Sequence, residues 1–126
     1  MGILVARIGE ALPGEGYRVL VDRLWPRGVR KETAPWEEWL PAVAPSVALR
    51  RWYGHDVARY AEFRARYEQE LAAEPGAAPL QHLLALVRAR PVALVTATRD
   101  VAHSQVPILA DYLARTVGVP WTSVER

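Results

Sequence analysis

Residues 92–98 read VALVTAT, an unbroken apolar and β-branched run with Pro91 before it and Arg99 after it. Such a run fits a central parallel strand covered on both faces, because neither face is left for water. The rest of the chain has to be arranged around it. Ile3 to Ile8 is a second short apolar run, broken by Gly9, and Tyr17 to Val21 a third, with the turn-forming LPGEG at 12–16 between them.

Three helical patterns complete the order. Asp56 is placed to cap a helix reaching about Glu74, whose Tyr60, Phe63, Tyr67 and Leu71 recur at helical spacing. Its other face offers Glu62–Arg66, Arg64–Glu68 and Arg66–Glu70 as four-apart pairs. Leu80, Leu83, Leu84 and Val87 mark a second helix ending at Arg90–Pro91. Val106, Leu109, Leu113 and Val117 mark a third over 104–117, with Ser104 as its cap and Pro107 in its first turn. PWEEWLPAVAP at 35–45 suggests a short helix begun by Pro35, and residues 22–35 and 49–56 read as loops. The expected fold is a small single α/β domain over 1–126, a mostly parallel sheet flanked by helices in a Rossmann-like three-layer arrangement.

Several functions drop out on composition. The chain has no cysteine, which removes disulfides, thiolate metal sites and cysteine nucleophiles. No run approaches the length of a membrane span and no signal peptide is evident, so the expectation is a cytoplasmic protein with no membrane partner. With a net charge of only +2, a surface that coats itself in nucleic acid is disfavoured. Fifteen of the sixteen basic residues are Arg and only Lys31 is Lys. Where the arginines cluster is therefore more telling than how many there are.

Ligands of open α/β sheets bind beyond the carboxyl ends of the strands. Val21 leads there into DRLWPRGVRK, and Thr98 into RDVAH. A third cluster, LRRWYGHD at 49–56, lies ahead of the long helix. If the strands before the first two clusters are parallel neighbours, Asp22, Arg23, Arg99 and Asp100 meet at one rim. Arg23 and Arg27 offer planar forks suited to phosphate or carboxylate oxygens, Trp25 a stacking surface, and Gly28 a close backbone approach. Arg50, Arg51, Trp52, Tyr53 and Asp56 repeat the recipe. A structural reading stands beside this one, with Asp22 in a salt bridge, Trp25 plugging the sheet edge and Asp56 capping a helix.

His55, Asp100 and His103 are the candidate catalytic groups, His55 or His103 moving a proton and Asp100 pairing with a neighbour. His55, Asp56, Asp100 and His103 have no HxxxH spacing, and no metal site is assigned. No GxGxxG, Walker or GxSxG motif is present, and the cofactor is left open. His82 reads as structural or exposed. Trp36, Trp39 and Trp121 suit either core burial or a dimer contact, and the oligomeric state is open.

Four stretches in order, YRVLVDRLWPRGVRKE at 17–32, residues 39–56 with APS at 44–46, EFRARYEQEL at 62–71 and VTATRDVAH at 95–103, resemble the YeaO-like family of small bacterial proteins. DRLWPRG is the most specific string. The chain departs from relatives at Thr96–Thr98 and at His103–Ser104, where they tend to carry an aromatic or Ala-rich strand end and His-Asn. The resemblance implies a small intracellular α/β protein and brings no activity with it. From the residues, the leading expectation is an enzyme acting on a phosphate-bearing, nucleotide-like substrate. The alternatives are a non-catalytic RNA or single-stranded DNA binder and a protein-interaction domain.

Overall fold

The computed structural model describes residues 2–10, 12, 14 and 16–124; of the turn-forming stretch at 12–16, residues 13 and 15 lie outside the described residues. The VALVTAT run does form the middle of the molecule. Strand β4 (Val92–Thr96) is buried at every position, between β1 (Ile3–Arg7) and β2 (Tyr17–Leu20). A two-residue β3 (Glu38–Trp39) and a three-residue β5 (Trp121–Ser123) close the two edges. All pairings are parallel, in the order β3-β2-β4-β1-β5, with Leu20 opposite Val95 and Arg7 opposite Thr96.

Parallel neighbours need crossovers, and the crossovers decide what covers each face. Four α-helices, α1 (Val47–Tyr53), α2 (Tyr60–Leu71), α3 (Ala77–Ala89) and α4 (Gln105–Val117), share one core with Val5, Val19 and Leu94 of the sheet. Phe63 and Tyr67 of α2 are almost fully buried there, about 1.5–3 kcal/mol for a side chain like Phe63. The opposite face, Ala6, Leu20 and Val95, is covered by connections without an α-helix, one of which holds a 3-10 turn at Lys31–Thr33. These bring Ile8, Leu12, Trp25, Val29 and Trp36 over it. The result is a small α/β domain consistent with three layers, the third being thin and built of coil and tryptophan. No helix is long and apolar enough to cross a membrane, among the described residues.

Four expectations are corrected. The segment 35–45 forms no α-helix: it becomes β3 followed by a 3-10 turn at Pro41–Val43, because pairing with β2 outweighs the local signal of Pro35. The cluster at 49–56 is mostly helix rather than loop. Ser46 caps α1 by accepting from Leu49 N at 3.1 Å, and Gly54 ends it in the left-handed conformation at φ 53°. Asp56 caps a 3-10 turn, Val57–Arg59, and α2 itself starts at Tyr60. Residues 121–123, for which the sequence offered no expectation of structure, pair with β1 as β5. Of the four-apart pairs on α2, Glu62–Arg66 and Arg64–Glu68 form, whereas Glu70 turns to accept from Ser46 N and Oγ.

Candidate functional site

β2 and β4 are parallel neighbours, so their carboxyl ends open on one rim. A cavity of about 530 Å3 lies there, within the usual range for small-molecule sites. It is bounded by the loop after β2, the loop after β4, the first residues of α4, and one side of α1.

Asp22 holds the floor together. Its carboxylate accepts from Thr96 Oγ1 at 2.6 Å, Ala97 N at 2.8 Å and Gln105 Nε2 at 3.2 Å, joining β2, β4 and α4. Arg23 is also committed to the protein. Its Nε and Nη2 donate to the carbonyls of Pro45 and Ala44 at 3.0 and 2.9 Å, and it forms no ion pair with a carboxylate among the described residues. Trp25 borders the cavity but donates its Nε1–H to Val29 O at 2.7 Å. It meets Trp36 and Trp39 edge-on at 5.0 and 5.4 Å. Gly28 is required by its turn, at φ 82°, and a Cβ there would touch nothing within 4 Å.

Arg50 and Arg51, in the last turn of α1, border the cavity, and their side chains make no hydrogen bond or ion pair with another described residue. Arg27 and Arg99 are likewise exposed and unpaired among the described residues, each one position beyond a cavity-lining residue. Several arginines elsewhere are paired with acids, although Arg7, Arg88 and Arg90 have no ion-pair partner among the described residues either. Arg18 is bonded to Glu37, Arg66 to Glu62, and Arg64 and Arg115 share Asp111.

Tyr53 stacks on Phe63 at 4.2 Å and donates its hydroxyl to His103 O at 2.6 Å. Tyr60 donates to Ser104 O at 2.8 Å, so two tyrosines fix the approach to α4. Burial pushes both phenols up, Tyr60 to about 12, with the nearby Asp100 charge adding to the shift in each. His55 lies on the cavity wall with φ 56°, a left-handed conformation costing a non-glycine residue roughly 1–2 kcal/mol.

The other candidates lie apart from the cavity lining. His103 Nδ1 and Asp100 Oδ2 pair at 2.9 Å, and the His103 ring meets Tyr60 edge-on. Asp56 caps its turn and pairs with Arg59. The Trp52 ring carries the guanidiniums of Arg66 and Arg59, 4.2 and 5.2 Å from its centroid. His82 bonds Glu38, which also accepts from Tyr17 at 3.0 Å. Sequence reasoning passed over Leu24, Val47 and Gln105, all of which line the cavity. Only Gln105, opening a helix directly behind a strand-end cluster, carried a readable signal.

A family model described as the inactive DUF488-N3 subclade matches residues 3–119. The uncharacterised protein Rv3073c of Mycobacterium tuberculosis is 45% identical over 112 residues, covering 88% of this chain and 92% of its own length. The uncharacterised protein YeaO of Escherichia coli is 35% identical over 114 residues, covering 90% of this chain and 97% of its own. No solved structure matches. Matched along nearly its whole length, the chain belongs to the inactive DUF488-N3 subclade and, with YeaO, to the YeaO-like family.

Proposed function

We propose that the protein binds a small phosphate-bearing ligand of nucleotide size at the sheet-end cavity, and that it binds without turnover. The observation that carries this reading is the allocation of charge. Arg50 and Arg51 line a cavity of about 530 Å3 and have no ion-pair partner among the described residues, while most arginines of the α2–α4 surface have one. Guanidinium forks held this way suit phosphate oxygens.

Binding is favoured over catalysis because a proton-transfer site needs a base oriented by a partner and aimed at the substrate. The Asp22 oxygens are already taken by protein donors, and the Asp100–His103 pair is not part of the cavity lining. His55 is then the one imidazole on the wall, among the described residues, and it lacks an orienting carboxylate. The description of the subclade as inactive accords with this. A single-stranded nucleic-acid platform is less favoured, since such platforms need open aromatic faces. Trp52 is occupied by its own arginines and Trp25 is wedged among tryptophans.

Calorimetric titration with inorganic phosphate, a 5′-mononucleotide and oligonucleotides of increasing length tests the reading. Expected are mononucleotide binding that is lost in Arg50→Ala/Arg51→Ala and an affinity that does not grow with oligonucleotide length. Affinity rising with length and falling steeply with salt would favour the platform. Consumption of the nucleotide would restore the enzyme.

A further inference from the structure

We infer that Leu24 and Val47 form an apolar lip that contacts the base of a bound nucleotide, making them the specificity-determining residues of the cavity. The inference rests on the phosphate-site reading above and names the part of the ligand that the arginines do not explain.

Three large hydrophobic side chains are strongly exposed among the described residues, and two of them, Leu24 at 69% and Val47 at 45%, border this cavity. Neither is free to withdraw. Leu24 sits between Arg23, tied to two carbonyls, and Trp25, tied to Val29 O and packed on two tryptophans. Val47 opens α1 directly behind Ser46, whose backbone N–H and hydroxyl are both held by Glu70. A braced loop that presents bare leucine to water gains only when something apolar covers it.

The neighbouring charges identify the occupant. Val47 is three and four residues from Arg50 and Arg51, so the three share one side of α1. An apolar surface next to two guanidiniums without a partner among the described residues complements a ligand with a flat, poorly hydrated face on one end and phosphate on the other. A nucleotide has that form. Inorganic phosphate or a sugar phosphate satisfies the arginines and leaves the lip bare.

The experiment compares three probes on the full chain by calorimetry: a 5′-mononucleotide, ribose 5-phosphate and inorganic phosphate. The wild-type protein is expected to bind the mononucleotide about ten-fold more tightly than ribose 5-phosphate, a difference of about 1.4 kcal/mol. Leu24→Ser and Val47→Ser should each remove roughly three- to ten-fold of that preference and leave ribose 5-phosphate affinity unchanged, and Leu24→Met should keep it. Because Leu24 is exposed, its variants should share the wild-type denaturation midpoint, which excludes misfolding as the cause. The lip assignment is overturned if the two phosphate esters bind equally, or if Leu24→Ser weakens both alike. It is overturned too if Leu24→Ser dissociates a wild-type dimer in sedimentation, which would make the lip a self-association surface. Failure of all three probes to bind would instead refute the phosphate site, and the lip with it.

Discussion

Asp22 is the residue whose loss should be felt most, and its three bonds allow the cost to be worked out. The carboxylate receives two donors on Oδ1, Thr96 Oγ1 and Gln105 Nε2, and one on Oδ2, the Ala97 N–H. Hydrogen bonds to a charged acceptor contribute about 1.5–3 kcal/mol each, and those sharing one group do not add. Thr96 is 0% exposed, so Asp22→Ala leaves its hydroxyl hydrogen without this acceptor, while its oxygen keeps the Thr98 N–H. The expected loss is about 3–5 kcal/mol, a large part of a domain's stability. Asp22→Asn is the sharper test. In one amide orientation its NH2 faces the Gln105 NH2, and in the other it faces the Ala97 N–H. Either way donor meets donor, and about 1–3 kcal/mol should go. Urea unfolding followed by tryptophan fluorescence gives both values, with an unchanged m confirming that only stability has moved. Thr96→Val closes a double-mutant cycle with Asp22→Asn, and a coupling of about 1 kcal/mol is expected. If Asp22→Asn lies within about 0.5 kcal/mol of wild type, or the cycle is additive, the carboxylate is not what joins β2, β4 and α4.

Four of the five tyrosines, Tyr17, Tyr53, Tyr60 and Tyr67, have phenols pushed above the ordinary value, Tyr17 chiefly by its hydrogen bond to Glu38 and the others by burial. Raised acids favour the fold below pH 10 and withdraw that support as pH rises through their folded values. Phenolate absorbance should therefore lag an unfolded control above pH 10, with unfolding as it catches up; a native titration matching the control would contradict this. Burial works to raise the Asp111 carboxyl, but hydrogen bonds from Arg115, Arg64 and Trp121 outweigh it and hold it below the ordinary carboxylate value. Its support is present above about pH 4 and lost as pH falls through the lowered value. Asp111→Asn should thus cost about 1 kcal/mol at most at neutral pH and flatten acid unfolding over that window. His55→Gly relieves a left-handed backbone and should leave stability unchanged or up to about 1 kcal/mol higher in urea unfolding. A clear loss of stability would mean that the imidazole, not the backbone, is what the fold requires.

What the sequence made legible follows its longer-range regularities. β4 could be read because every position is buried, leaving a signature independent of its partners. α2 and α4 were readable from periodic stripes. β3 and β5 were not, since two and three residues carry no period and owe their conformation to pairing with β2 and β1. α1 was misjudged although its end signals were present, Ser46 before it and Gly54 after it, because its charges drew it into a loop. The rim could be foreseen in outline once β2 and β4 were taken as neighbours. What Arg23 and Trp25 do there could not, because their partners are the backbone carbonyls of Ala44, Pro45 and Val29. A carbonyl leaves no mark on a sequence.

That distinction bears on how the site should be judged. An arginine satisfied by carbonyls, like Arg23, keeps its charge while losing part of its freedom, and so becomes a fixed positive wall. Arg50 and Arg51 keep both charge and freedom at the same rim. Carboxylates are not scarce in this chain, with fourteen Asp and Glu against sixteen Lys and Arg. Those of α2 and α4 at Glu62, Glu68 and Asp111 are spent on arginines of the same two helices, and Glu70 on Ser46. The carboxylate of Asp22 on the cavity floor is bonded to uncharged donors and makes no ion pair with an arginine among the described residues. Arg23, Arg50 and Arg51, none with an ion-pair partner among the described residues, thus gather at the sheet end. Such a concentration repels itself unless an anion enters. It is this arrangement, more than any single residue, on which the proposed phosphate site rests.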